Sequence, residues 1–288
     1  MGSLKEIKTR IQSVKSTQKI TSAMKMVSSA KLTKAQRTIN NFYPYQQKMN
    51  ELLQHLLLDK DEDVHSVFAH EREVKHLAIV VFASNSSLCG SFNANVNKML
   101  FSVLEQYKSI DKKNIVLYPV GKKIAKACSK LEFKIAGDFE KIADKPNYEE
   151  LCAKITNVLM HKFENEELDK VEMIYHHFQS KGSQILLNET LLPFKLPIPP
   201  KHVSIADYIV EPDIDTVLLE LIPKVVRINL FTALLDSNAS EHAARLVAMQ
   251  TATDNADELL SELSTQYNKL RQQAITNELL DIIGGSFA

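Results

Sequence analysis

The two ends of this sequence lack helix breakers. All nine prolines lie between Pro44 and Pro223. Five of the seven glycines are Gly2, Gly90, Gly121, Gly137 and Gly182, and the other two are Gly284 and Gly285. Residues 3–43 and 224–283 therefore hold neither breaker, over 41 and 60 residues. Stretches of that length exceed an ordinary globular helix and leave coiled coil, membrane span or repeat. Charges along both stretches exclude a span, and no apolar run approaches the roughly 20 residues a bilayer needs. No repeat of roughly 20–50 residues is present.

Cysteine is also scarce. Cys89, Cys128 and Cys152 are odd in number and widely spaced, which excludes a disulfide framework and a Cys-x-x-Cys zinc site. Buried reduced thiols are expected. The first residues lack an apolar signal core and enter a helical pattern at once, so the chain reads as complete and cytosolic. Net charge is zero over 288 residues, but its distribution is uneven. Met1–Tyr43 carries nine basic residues and one acid, Glu6, whereas the chain from Lys224 onward carries five basic and eight acidic residues. Basic and acidic ends can attract each other, and the surplus positive charge calls for an acidic partner.

Catalytic signatures are missing as well. The loop Ser84–Ser91 follows an apolar run, where a dinucleotide-binding domain would hold phosphate. It has one glycine and no Gly-x-Gly-x-x-Gly, and no Walker motif occurs, so it reads as a structural turn. Cys89 has no base at a fixed spacing. His176 and His177, adjacent in a strand, point to opposite faces and make a poor metal pair. His242 reads as a solvated residue, and Glu149-Glu150 and Glu166-Glu167 as helix surface. The basic first helix lacks aromatics before Phe42, which argues against nucleic acid. No cofactor, metal or catalytic residue is expected.

What is present is heptad spacing. Leu4, Ile7, Ile11 and Val14 step by three and four. The apolar stripe then shifts, resuming with Ile20, Met24 and Val27 and continuing through Leu32, Ala35, Ile39 and Phe42. In the last stretch Leu246, Met249, Thr253, Ala256, Leu260, Leu263, Tyr267, Leu270 and Ala274 alternate almost without fault, the seam of a supercoiled helix. Ser3-x-x-Glu6 matches a capping box, and Gly284-Gly285 should end the last helix. Unbroken, 60 residues would reach roughly 90 Å. The first helix should run past a kink at Pro44 to about Leu58.

Between the ends the pattern is α/β. Strands are predicted at Leu77–Phe82, Ile115–Val120, Val171–Gln179 and Gln184–Phe194. Helices are predicted at Phe92–Tyr107, from Lys122 to Leu131, and from an Asn147 cap to Phe163. Alternation implies an open, largely parallel sheet, and Pro193–Pro200 a stiff linker. The expected fold class is α/β with long helices: an antiparallel coiled coil of N- and C-terminal helices plus an inserted Rossmann-like α/β domain. The expected domains are 1–58, 75–195 and 211–288.

Three segments carry a family resemblance: Ile20–Val27 (ITSAMKMV), Ser240–Met249 (SEHAARLVAM) and Tyr267–Leu279 (YNKLRQQAITNEL). With the long terminal helices, the whole chain resembles the gamma subunits of F-type ATP synthases. One departure lies after the first strand. The family's Asp-Arg-Gly-Leu-Cys-Gly is replaced by Asn85, Ser86 and Ser87 before Leu88-Cys89-Gly90, which puts any ion pair made there in doubt. The segment with a cysteine pair seen in chloroplast relatives is lacking, and the likeness is to bacterial members.

The resemblance implies a non-catalytic rotor shaft that couples proton flow to ATP synthesis and hydrolysis at the beta subunits. Its implied partners are a ring of alpha and beta subunits, the epsilon subunit and the membrane c-ring. Its implied place is peripheral, on the cytoplasmic side of a bacterial inner membrane. The coupling residues correspond by position to Met24, Arg245, Gln272 and Thr276, with Arg271 and Glu278 as neighbours. Lys19 and Lys25 would face an acidic beta-subunit loop, and Ile282 and Ile283 would form an apolar bearing. The competing reading is a non-rotating coiled-coil scaffold with an α/β docking domain.

Overall fold

The computed structural model describes residues 4–58, 66–196 and 210–286. Helix α1 spans Leu4–Leu58 and α7 spans Ile214–Ser286. Between them lie β1 (Leu77–Phe82), α2 (Phe92–Gln106), β2 (Ile115–Val120), α3 (Lys122–Cys128), β3 (Lys134–Ile135), α4 (Glu140–Asp144), α5 (Tyr148–Leu151), α6 (Asn157–Glu164), β4 (Lys170–Phe178) and β5 (Gln184–Leu192). The chain forms two compact units, one of Met1–Ala30 with Arg245–Ala288 and one of Lys31–Ala244.

In the larger unit the five strands run in the order β3-β2-β1-β4-β5. The first four are mutually parallel, and β5 returns antiparallel to β4. Strand β1 is central, and all six of its residues are buried. A strand covered on both faces needs the continuous apolar run that LAIVVF supplies. Its odd residues Leu77, Ile79 and Val81 pack with Val96, Leu100 and Val103 of α2 and with Ile124 and Cys128 of α3. Helix α7 serves the opposite face. Ser240 Oγ donates to the His176 carbonyl at 3.1 Å. Phe231 is held edge-on between Phe42 of α1 and Tyr148 of α5, with ring centroids 5.0 and 5.4 Å away.

Sequence periodicity located β1 and β2 to the residue, and α2, β4 and β5 within one or two residues. It missed β3 and α4, which are too short to show a period. Helix α3 stops three residues earlier than expected, and Glu132 just beyond takes a left-handed φ of 33°. The helix capped by Asn147, whose side chain accepts from Glu150 N, runs through a π turn at Cys152–Thr156 into α6.

Helix α1 runs through Pro44 to Leu58, as expected, and α7 likewise contains a proline, Pro223. Pro44 is on the exposed side of α1, so the carbonyl it leaves unbonded can meet water. Helix α7 begins before Pro223. Its first turn is capped by Asp213, which accepts from the backbone N and the hydroxyl of Thr216, both at 2.8 Å, and those bonds lower the carboxyl pKa. Helix α7 also passes through Gly284-Gly285 to Ser286, so the glycine pair does not end it. The expected capping serine, Ser3, and residues 197–200 of the proline linker lie outside the described residues.

The stripe on α1 does not shift. Counting on from Val14 by alternate fours and threes gives Gln18, Thr21, Lys25, Ser28, Leu32, Ala35, Ile39, Phe42, Gln46, Met49, Leu53 and Leu56, all buried or half-buried. Ile20 and Val27, taken for the resumed stripe, are 60 and 56 % exposed. The heptad is unbroken, but polar residues fill its middle.

At Gly121 the backbone turns from β2 into α3 with φ +120°, and a Cβ there would stand 2.2 Å from the Ala83 carbonyl oxygen. Ala83 N in turn donates to the Val120 carbonyl at 2.9 Å, so neither segment can withdraw. Gly121→Ala should therefore destabilise the chain by more than about 3 kcal/mol, measured by urea unfolding.

Candidate functional site

In the smaller unit the two helices run antiparallel. Gln18 Nε2 donates to Asp257 Oδ1 at 2.8 Å, and Thr253 Oγ1 donates to Thr21 Oγ1 at 2.9 Å. The seam on α7 comprises Met249, Thr253, Ala256, Leu260, Leu263, Tyr267, Leu270 and Ala274, as its spacing predicts. A polar pair inside an apolar seam specifies one register, because any slip sets a hydroxyl against a methyl group. Continued along both helices, this register sets Leu4 level with about residue 270. From Ile275 to Ile283 every position of α7 is exposed, including Leu279 at 55 %, Leu280 at 60 % and Ile282 at 69 %.

The residues singled out by resemblance fall at two levels. Lys19, Met24 and Lys25 lie within two turns of α1. Lys19 is exposed, Met24 is half-buried, and Lys25 lies in the seam, its stem half-covered while its charge can still reach water. Arg245 is buried. Arg271, Gln272, Thr276, Glu278, Ile282 and Ile283 lie on the exposed end of α7. The Thr276 hydroxyl is turned back to the Gln272 carbonyl at 2.9 Å. Roughly 30 Å of helix separates Met24 from the Gln272 level, so the two groups form separate surfaces.

The larger unit contains groups that sequence reading missed. Asp236 of α7 is 2 % exposed and accepts from Tyr43 Oη of α1 at 2.7 Å and from His177 Nδ1 of β4 at 2.6 Å. Burial raises the Asp236 pKa even though both hydrogen bonds favour its charged form, and burial first, then Asp236, raises that of Tyr43. One carboxylate thus ties both long helices to the sheet. Lys31, Lys34 and Lys145 gather around a cavity of about 410 Å³. The lysines of α1 were visible as charge, but only folding adds Lys145. His242, expected to be solvated, is 8 % exposed, because α7 is covered on that side.

Asn85, where the chain departs from the motif it otherwise resembles, accepts from Lys122 N and donates to the Glu140 carbonyl, each at 2.8 Å. An amide can do both, whereas a carboxylate can only accept. Its neighbours Ser84, Cys89 and Asn93 bond to one another, fixing the loop as a turn. All three cysteines are free and buried, and burial pushes the Cys128 thiol up to about 11. The hydrogen bonds of Cys89 go to Ser84, Ser86 and Asn93, none of which is a base. Among the described residues no three His, Cys, Asp or Glu side chains gather as a metal site, and no helix is long and apolar enough to cross a membrane.

Two long paired helices and a mixed five-stranded α/β sheet, with an apolar helix end left exposed, define the class of a stalk protein. Comparison with known proteins agrees. Residues 3–288 match the family described as ATP synthase. The ATP synthase gamma chains of Phocaeicola vulgatus and Bacteroides fragilis are each 56 % identical to it over the full length of both chains. The gamma chain of Flavobacterium johnsoniae is 43 % identical over 100 % of this chain and 99 % of its own.

Among solved structures, the central stalk and c-ring of the Tetrahymena thermophila mitochondrial ATP synthase matches with a TM-score of 0.56 at 24 % identity, covering 81 % of this chain and 99 % of that one. The rotor of the Euglena gracilis enzyme matches with a TM-score of 0.62 at 18 % identity, covering 94 and 98 %. The chain belongs to the ATP synthase gamma chain family and is a non-catalytic subunit of the central rotor.

The polar seam gives a test of the helix pairing. Replacing Thr21 and Thr253 together by valine should stabilise the chain by about 1 kcal/mol, since two matched apolar groups replace a buried hydroxyl pair. Either change alone should gain nothing, because it sets a methyl group against a hydroxyl. A double-mutant cycle on thermal unfolding measures the coupling.

Proposed function

We propose that this chain turns within a ring of alternating alpha and beta subunits and transmits torque between that ring and the membrane c-ring, with the α/β body and the epsilon subunit at the c-ring end. In this reading proton flow drives ATP synthesis at the beta subunits, and hydrolysis drives the reverse. The complex would lie at a bacterial plasma membrane with this subunit on its cytoplasmic side. The observation that carries the proposal is the exposed end of α7, where Ile275, Leu279, Leu280, Ile282 and Ile283 are all 49 % exposed or more. An apolar helix end of this kind suits insertion into a collar supplied by other subunits.

A rotor couples to a catalytic site only if its different faces favour different conformations of that site. The basic α1 and the acidic end of α7 make the shaft unequal around its axis. At the cavity of Lys31, Lys34 and Lys145 three lysines outnumber one acid, Asp144, and leave a net positive surface suited to an acidic partner. Exposed ion pairs are worth only about 0–1 kcal/mol each. Shape and stiffness therefore carry most of the torque, and charges tune the path.

Two outcomes follow. Ile282→Asp with Ile283→Asp should reduce assembly with the alpha–beta ring, read as the yield of co-purified complex, and an unchanged yield would remove the bearing. Neutralising Lys19 and Lys25 together should leave most of the torque in a single-molecule rotation assay. Near-complete loss of ATP-driven rotation would show that charge dominates.

A further inference from the structure

The sheet reverses its winding between β1 and β4. From β1 the chain crosses through α2 to β2 on one side, while β4 lies on the other side. In open α/β sheets the crevice beyond the carboxyl ends of two such strands is the usual ligand position. Here that crevice is a cavity of about 240 Å³ lined by Ser91 and Asn95 at the start of α2, His176 of β4, and Gly182, Ser183 and Gln184 of the hairpin that follows. None of these side chains is acidic.

Two independent features give the cavity a preference. Helix α2 has 15 residues and no acid in its first turn, so nothing cancels the partial positive charge of its N-terminus. His176 is 3 % exposed, and its Nδ1 has no hydrogen-bond partner. The ring is clamped by stacking on Phe92, with centroids 4.3 Å apart. Burial lowers the imidazole pKa to about 4, so at neutral pH the ring is uncharged and can donate through one nitrogen. A buried ring nitrogen without a partner is a rare feature in a folded chain.

We infer that this cavity binds a tetrahedral oxyanion, phosphate either free or as a monoester, held by the N-terminus of α2 and the imidazole of His176. The volume holds such an ion with several waters of about 30 Å³ each. The single glycine of the preceding loop suits a simple ion better than a dinucleotide, whose pyrophosphate needs closer backbone approach. The inference stands apart from the rotor reading, because it concerns the α/β body alone.

The test titrates the purified full chain by calorimetry with inorganic phosphate and with glycerol phosphate at matched ionic strength. A Cβ at Gly182 would meet nothing within 4 Å, and the backbone there is not left-handed. Gly182→Asp therefore places a negative charge at the cavity without disturbing the fold, which an unchanged melting temperature verifies. His176→Phe keeps the stacking partner for Phe92 and removes the nitrogen.

Saturable millimolar binding of at least one ligand is expected in the unmodified chain, weakened at least about tenfold in both variants. The ligand bound more tightly identifies the free ion or the ester as the occupant. Saturation by neither ligand, or unchanged affinity in either variant, overturns the site.

Discussion

Between Val225 and Ala243, helix α7 has to satisfy two partners at once. The sheet lies against one side and α1 against the other, and almost every residue of the segment is buried. A helix so placed must be apolar nearly all round, and the sequence VVRINLFTALLDSNASEHA meets that demand with few exceptions. Three of the polar side chains it buries are bonded across or along the helix: Thr232 to the Ile228 carbonyl, Ser240 to the His176 carbonyl, and Asp236 to Tyr43 and His177. Asp236 matters most, since losing either donor would leave a buried carboxylate short of partners. The long helices and the strands of this unit hold together through this segment.

The outer part of the shaft obeys a simpler rule. Here α7 has only α1 to cover it, and its burial narrows to one seam that ends at Ala274. The difference between the two parts of α7 is a difference in the number of neighbours, and the sequence changes with it. Leucines and valines on all sides give way to a 3-4 stripe among Asp, Glu, Asn, Gln and Ser. Beyond Ala274 isoleucine and leucine return on exposed positions, which no packing within the described chain explains. Their exposure is the observation on which the proposed insertion into other subunits rests.

The middle of the α1 seam shows how an apolar count can mislead. Ile20, Val27 and Met26 are apolar yet exposed, whereas Gln18, Thr21 and Ser28 are polar yet covered. Counting by strict alternation from Val14 would have found the seam, and following hydrophobicity moved it to the wrong face. Thr21 tolerates the position because its partner on α7 is Thr253, so each hydroxyl finds the other. That match is a property of two residues 232 apart in sequence.

Some of the architecture was legible in the linear chain because it is periodic or punctuated. Breaker-free ends, the 3-4 stripe of α7, the apolar run of β1 and the cap at Asn147 are local patterns, set by the geometry of one helix or one strand. The family was legible too, through ITSAMKMV, SEHAARLVAM and the segment from Tyr267 to Leu279. What tertiary structure alone decided are the meetings: Asp236 with Tyr43 and His177, Lys145 with Lys31 and Lys34, Asn85 with Lys122 and Glu140, and His176 with the start of α2. Each joins residues from separate elements, with no spacing rule to announce it. Burial and hydrogen bonding depend on what lies across a gap, and that is settled only when the sheet order and the helix register are in place.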